Sequence, residues 1–187
     1  MTLPGAHTLL LEQPWTARSL FLRTRFRMDV RDERGTPLAT VAERAGLGPL
    51  RRLLRATGFS GRTRFDLVVA DRGHPVLRVT KGAGRPPVQV FAPDGALIGS
   101  VRNEGRGAAG LYGANGDRLA SLGDAAGFTT RRITEREGRK VRRDTVRLRP
   151  GTPEPVRSLA IAAAIAHDVV RGVGTNHAGG GPIDLPF

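Results

Sequence analysis

Between Leu159 and Ala166 the chain reads LAIAAAIA, an unbroken apolar run held between Arg157 and the His167-Asp168 pair. A helix built on it has no wet side, and such a helix belongs in a protein core or in a bilayer. A membrane span needs about 20 apolar residues. This run ends well short of that, so burial within the protein is the expectation, with a helix from about residue 155 to 171. Pro153 and Pro155 suit its approach and first turn, and Gly172 suits its stop. Its surroundings must then be apolar from every direction. A β-sheet curled around a mainly Ala-lined helix meets that demand, because small side chains fit a barrel of limited bore.

The rest of the chain supplies strands. VRDERGTPLATV (Val30 to Val41), VADRGHPVLRV (Val69 to Val79), VFAPDGALIGSV (Val90 to Val101) and LYGANGDRLASL (Leu111 to Leu122) share one plan, with ITEREGRKV (Ile133 to Val141) as a degenerate fifth. Each is strand, polar turn and strand, with Gly35, Gly73, Gly95, Gly116 or Gly138 in the turn. Glycine supplies the positive φ such turns use, and a nearby Asp or Asn bonds back to the turn backbone. The last three turn glycines are 21 and 22 residues apart, the length of a hairpin and its connection. This regularity points to an all-β barrel or sandwich rather than a βαβ fold.

Alternation fixes the faces. Leu20, Leu22, Phe26, Met28 and Val30 fall on one side of a strand, and Arg23, Arg25, Arg27, Asp29 and Arg31 on the other; Phe65, Leu67 and Val69 repeat the pattern against Arg62, Arg64 and Asp66. From Leu47 to Ser60 the spacing of Leu50, Leu53 and Leu54 turns helical, predicting a short helix or ordered loop. The domain reading is a segment 1–18, a barrel with its central helix over 19–171, and a Gly-rich mobile tail over 172–187. The start has no basic stretch and only a short apolar run from Thr8 to Leu11, so no export signal is expected. The absence of cysteine removes disulfides and thiolate chemistry and suits a reducing cytoplasm.

Thirty Lys and Arg against 17 Asp and Glu give a net charge of +13. A field of that sign attracts phosphate on lipid or nucleic acid. Nearly all of it is Arg, with Lys only at Lys81 and Lys140, alongside abundant Ala, Gly and Pro. That composition also follows from a GC-rich coding sequence, so the positions of the arginines carry more than their number. No enzyme constellation emerges. The GRGAAG stretch at Gly105, Gly107 and Gly110 is followed by a strand-like segment, not the helix a dinucleotide site needs. The histidines are scattered, and His167 and Asp168, as helix neighbours, point about 100° apart. Capping or mouth-sealing bonds are the expectation for that pair.

Units such as RFDLVVADRGHPVLRV and VQVFAPDGALIGSV, followed by a terminal apolar helix ending at Asp168, resemble the phospholipid scramblase and LURP-one-related group of the tubby C-terminal-like fold, over roughly Ser19 to Arg171. The resemblance implies a mainly β, closed antiparallel barrel of about 12 strands around a hydrophobic C-terminal helix. It also implies binding of membrane lipid or phosphoinositide headgroups, and the missing enzyme constellations add the expectation of no chemistry and no cofactor. The calcium-binding acidic segment of the eukaryotic scramblases has no counterpart in RRDTVRLRPGTPEPVRSL, where only Asp144 and Glu154 are acidic. Palmitoylatable cysteines are missing too.

The candidate phosphate ligands are Arg23, Arg25 and Arg27 as a strand ladder, Arg62 and Arg64 near the linking segment, and Arg139, Lys140, Arg142 and Arg143. An anionic membrane surface is the expected partner, with the protein cytoplasmic and peripheral at the inner face. A nucleic-acid-binding barrel is the alternative, weakened by the isolation of Trp15 and Tyr112 from the basic groups. A protein-interaction or structural module is the third.

Overall fold

The computed structural model describes residues 3–14, 26–44, 63–105 and 108–170. A 3-10 turn (Leu3–Gly5) leads into β1 (Thr8–Pro14), β2 (Arg27–Arg31), β3 (Pro37–Glu43), β4 (Phe65–Asp71), β5 (His74–Lys81), β6 (Val88–Phe91), β7 (Leu97–Gly105), β8 (Ala108–Gly113) and β9 (Arg118–Ser121). A one-turn helix α1 (Leu122–Ala125) precedes β10 (Ala126–Arg136) and β11 (Arg139–Leu148), and α2 (Val156–Val170) follows. Each sequence repeat is an antiparallel hairpin, from β2 with β3 to β10 with β11. At Gly35 and Gly95 φ is 83° and 90°, a region that side chains disfavour. Asp32 and Asp94 accept from the N–H of Thr36 and Ala96 across the same turns.

The strands form one 11-stranded sheet ordered β10-β11-β1-β2-β3-β4-β5-β6-β7-β8-β9. Ser121 ends β9 and Ala126 begins β10, so opposite edges of the sheet are joined by α1 alone. One such turn of helix covers about 6 Å, whereas the sheet laid flat would span about 48 Å. The sheet therefore curls until both edges reach the same short helix. It curls around α2, which packs against β5, β6, β7, β8, β11 and α1.

Closure is incomplete, which corrects the expectation of a closed barrel of about 12 strands. Among the described residues no ladder joins β9 to β10. The cause is local. The Ser121 hydroxyl accepts from the N–H of Asp124 at 3.1 Å and caps α1, which packs against β8, β9 and β10 where a direct β9–β10 ladder would otherwise form. Leu122 and Ala125 are buried in the seam, and the Ala125 carbonyl accepts from the N–H of Arg149 at 3.0 Å.

The expected boundary near residue 19 also moves. β1 lies inside the sheet between β11 and β2. Its contiguous Leu9-Leu10-Leu11 hides an alternation in which Leu9 and Leu11 are buried and Leu10 is only partly so. The linking segment Leu47 to Ser60 and the tail from Gly172 lie outside the described residues.

Every residue from Leu159 to Ala166 is buried, as a helix without a polar face requires. Met28, Val41, Leu67, Val79, Val90 and Leu111 belong to the same apolar cluster. Ala163 is 0% exposed, and Ala163→Leu is expected to cost about 1–3 kcal/mol by overpacking. Urea unfolding reads this directly. An unchanged or raised midpoint would mean that the helix has an open side.

Candidate functional site

Alternation along β1 sends Leu9, Leu11 and Gln13 inward and Leu10 and Glu12 outward. Glu12 is nevertheless only 2% exposed. Three arginines from three other strands cover it. Arg143, its register partner on β11, reaches Oε1 at 2.7 Å. Arg136, from the end of β10, lies 2.9 Å from Oε2 and donates to Oε1 at 3.2 Å. Arg31 on β2 places its Nε 3.3 Å from Oε2 and donates to the Gly35 carbonyl at 3.0 Å. The Arg136 guanidinium rests on Gly35, where a Cβ would come within 2.9 Å of Nη1. The β2–β3 turn thus helps to hold two of the three cations. One carboxylate faces three guanidinium groups, so the cluster keeps an excess positive charge of two.

The surrounding outer face extends that charge. Arg27 shares the outward parity of Arg31 on β2, and Arg139, Arg143 and Arg147 recur at every fourth residue of β11, about 13 Å apart. The paired strands β10, β11, β1 and β2 therefore turn Arg27, Arg31, Arg136, Arg139, Arg143 and Arg147 outward against Glu12 and Asp29.

On the other half of the outer surface two carboxylates pair locally with arginines. Asp66 takes Arg78 at 2.9 and 3.0 Å and Arg44 at 3.8 Å. Arg78 also lies 5.7 Å over the Phe91 ring. Glu104 takes Arg118 at 2.7 and 3.0 Å and the Tyr112 hydroxyl at 2.8 Å. Arg118 and Tyr112 together hold the Glu104 carboxyl down at about 2, and the same carboxylate pushes the Tyr112 hydroxyl up. Arg102 stacks 4.2 Å over the Tyr112 ring. That ring lies on Gly110, where a Cβ would meet it at 2.7 Å. Here Arg44, Arg78, Arg102 and Arg118 are matched or stacked by neighbours on their own face, while Arg72 and Arg85 are exposed.

The expected phosphate ligands do not stay together. Arg27, Arg139 and Arg143 fall on the arginine face, while Lys140 is exposed at the β10–β11 turn with the opposite parity. Arg64 is exposed just before β4, which β2 and β3 separate from β1. Arg142 is a correction. It is 3% exposed and donates to Asp168, which also accepts from Gln13. Gln13 and Arg142 are register partners, and both point toward α2. Arg142 therefore anchors the end of the helix to two strands instead of meeting solvent. Arg23, Arg25 and Arg62 lie outside the described residues.

Asp168 thus makes the mouth-sealing bonds expected at the end of α2, and His167, also buried, sits with its ring 6.4 Å from that of Phe128. At the other end of the helix the buried Arg157 donates to the Ala6 carbonyl. Lys81 is buried at the end of β5 and donates to the Gly84 carbonyl at 2.7 Å, and burial lowers its pKa. In GRGAAG, Gly105 ends β7 and Gly110 lies within β8, so the stretch joins two strands of a hairpin.

Glu12 is the residue that reading the sequence missed. The available signal was a lone acid in the run LLLEQ, at odds with its apolar neighbours. Arg147 was equally open to discovery, since it continues the four-residue spacing of Arg139 and Arg143. No family model, curated protein or solved structure matches the chain. Among the described residues no helix is long and apolar enough to cross a membrane.

Arg142→Met leaves the Asp168 carboxylate buried without its cation. It is expected to cost about 3–5 kcal/mol, measured by chemical denaturation. Adding Asp168→Leu should recover most of that loss. A single variant as stable as the wild type would contradict the anchoring role.

Proposed function

We propose that this protein is a scramblase-like or LURP-one-like module that binds anionic phospholipid or phosphoinositide headgroups at a membrane surface, without catalysis. The binding surface is the outer face of β10, β11, β1 and β2. The supporting observation is the uneven distribution of charge. Asp66 and Glu104 engage arginines on one half of the sheet, whereas on the other half the outward strand positions set Arg27, Arg31, Arg136, Arg139, Arg143 and Arg147 against Glu12 and Asp29, with Glu33, Glu135 and Glu137 near the strand ends. Abundant arginine alone does not give such an asymmetry.

The working place of such a module is the cytoplasmic leaflet, whose anionic lipids attract basic segments by about 1 kcal/mol for each Lys or Arg near the surface. Arg27, Arg139 and Arg147 supply this general attraction from exposed positions. Stacking on nucleobases is a poorer use of the molecule. Arg78 and Arg102 already lie over the Phe91 and Tyr112 rings, and so those faces are not open platforms for a base.

Flotation with neutral and anionic liposomes across a salt series, with single-stranded and duplex nucleic acid as competitors, tests the proposal. Binding should require anionic lipid, weaken with salt and persist against nucleic acid. Replacing both Arg139 and Arg147 by Gln should weaken it by about 2 kcal/mol in total. Loss of binding to nucleic acid competitors would favour the nucleic-acid reading. Binding to neither would leave an interaction or structural module.

A further inference from the structure

The Glu12 cluster has features that a general basic surface lacks. Its members come from four strands and are far apart in sequence, yet their guanidinium groups converge on one carboxylate. The side chains of Arg31, Arg136 and Arg143 are 17, 24 and 27% exposed. Their stems are therefore largely fixed while their outer edges still reach solvent. The Nε atoms of Arg31 and Arg136 are buried against Glu12, which turns those groups with their inner edges toward the protein. Three guanidiniums carry roughly fifteen N–H donors. Two carboxylate oxygens cannot occupy them all.

We infer that Arg31, Arg136 and Arg143, oriented by Glu12, form a specific site for a dianionic phosphomonoester group. This deepens the headgroup-binding reading and rests on it. A phosphomonoester near neutral pH carries about −1.5 to −2 charges and three terminal acceptor oxygens. A phosphodiester carries a single charge and two such oxygens. The excess charge of the cluster matches the first, and planar guanidinium edges favour paired contacts with phosphate oxygens. Glu12 is a positioning residue. Its negative charge opposes the ligand, but it holds three mutually repelling cations close together.

That role gives a result opposite in sign to simple electrostatics. Glu12→Gln raises the net charge by one, and a surface acting through charge alone would then bind every anionic membrane more tightly. An organised site instead loses its discrimination. The same monoester chemistry occurs in a lipid headgroup and in a free phosphate ester, so the test carries both.

The experiment measures partition of the full-length chain onto vesicles containing phosphatidic acid, a phosphomonoester, or phosphatidylglycerol, a phosphodiester, at matched surface potential. Glycerol 3-phosphate is the soluble competitor. The wild type should prefer phosphatidic acid by roughly tenfold, and the competitor should remove that preference. Glu12→Gln should bring the two lipids to within about twofold of each other, in protein whose circular dichroism shows it folded. Arg143→Lys keeps the charge but loses the planar fork, and it should reduce the preference in the same direction. Arg27→Gln, outside the cluster, should weaken binding to both lipids by one common factor. Equal binding of the wild type to both lipids overturns the site and leaves the general headgroup reading standing. So does a preference that survives in both Glu12→Gln and Arg143→Lys, or one that the soluble ester fails to compete. Failure to bind either vesicle overturns the headgroup reading as well.

Discussion

A helix with no polar side forces the protein to surround it, and the rest of the architecture follows from that requirement. The sheet curls around α2, brings its two edges to α1 and places β11 beside β1. Inward positions become mainly apolar, with the Gln13, Arg142 and Asp168 contacts at one end of the helix and buried Glu43 and Lys81 at strand ends as polar exceptions. Most other charged residues are directed outward. The curl also assembles Glu12, Arg31, Arg136 and Arg143 into one place, which no local segment of the chain could do.

Two of the buried acids, Asp168 and Glu12, show different uses of the same ionic chemistry. Asp168 and Arg142 are both nearly inaccessible, and their pairing with Gln13 fixes the helix relative to two strands. Burial of such charges is costly unless each is matched, so its value lies in register and specificity as much as in stability. Glu12 is matched more than once over. Its extra cations stand at the surface, where their uncompensated charge remains available to an anion. On the β4–β9 half, by contrast, Glu104 and Asp66 hold their arginines in local pairs. The positions of the carboxylates, rather than the number of arginines, distinguish the two surfaces.

Hairpins were legible in the sequence because their information is local. Polar turns such as DERG and PDG lie between alternating segments, and their glycines adopt the required backbone. The burial of α2 was legible because LAIAAAIA allows no other use within a protein. Features that depend on contacts between distant segments were harder to read. β1 was obscured by its three consecutive leucines, and the open seam depends on Ser121 capping a helix of one turn. Arg142 resembled its neighbours in a basic run until register with Gln13 and proximity to Asp168 set it apart. The charge of the third arginine group was therefore visible, but its division into an inward anchor and an outward face was not.

The most direct measurement follows the arginine Nε–Hε and backbone amide resonances of the folded protein while anionic nanodiscs are added. Perturbations centred on Arg31, Arg136 and Arg143, and spreading through β10, β11, β1 and β2, would agree with the assigned face. Perturbations centred on Arg78, Arg102 and Arg118, or distributed evenly over all exposed arginines, would contradict it.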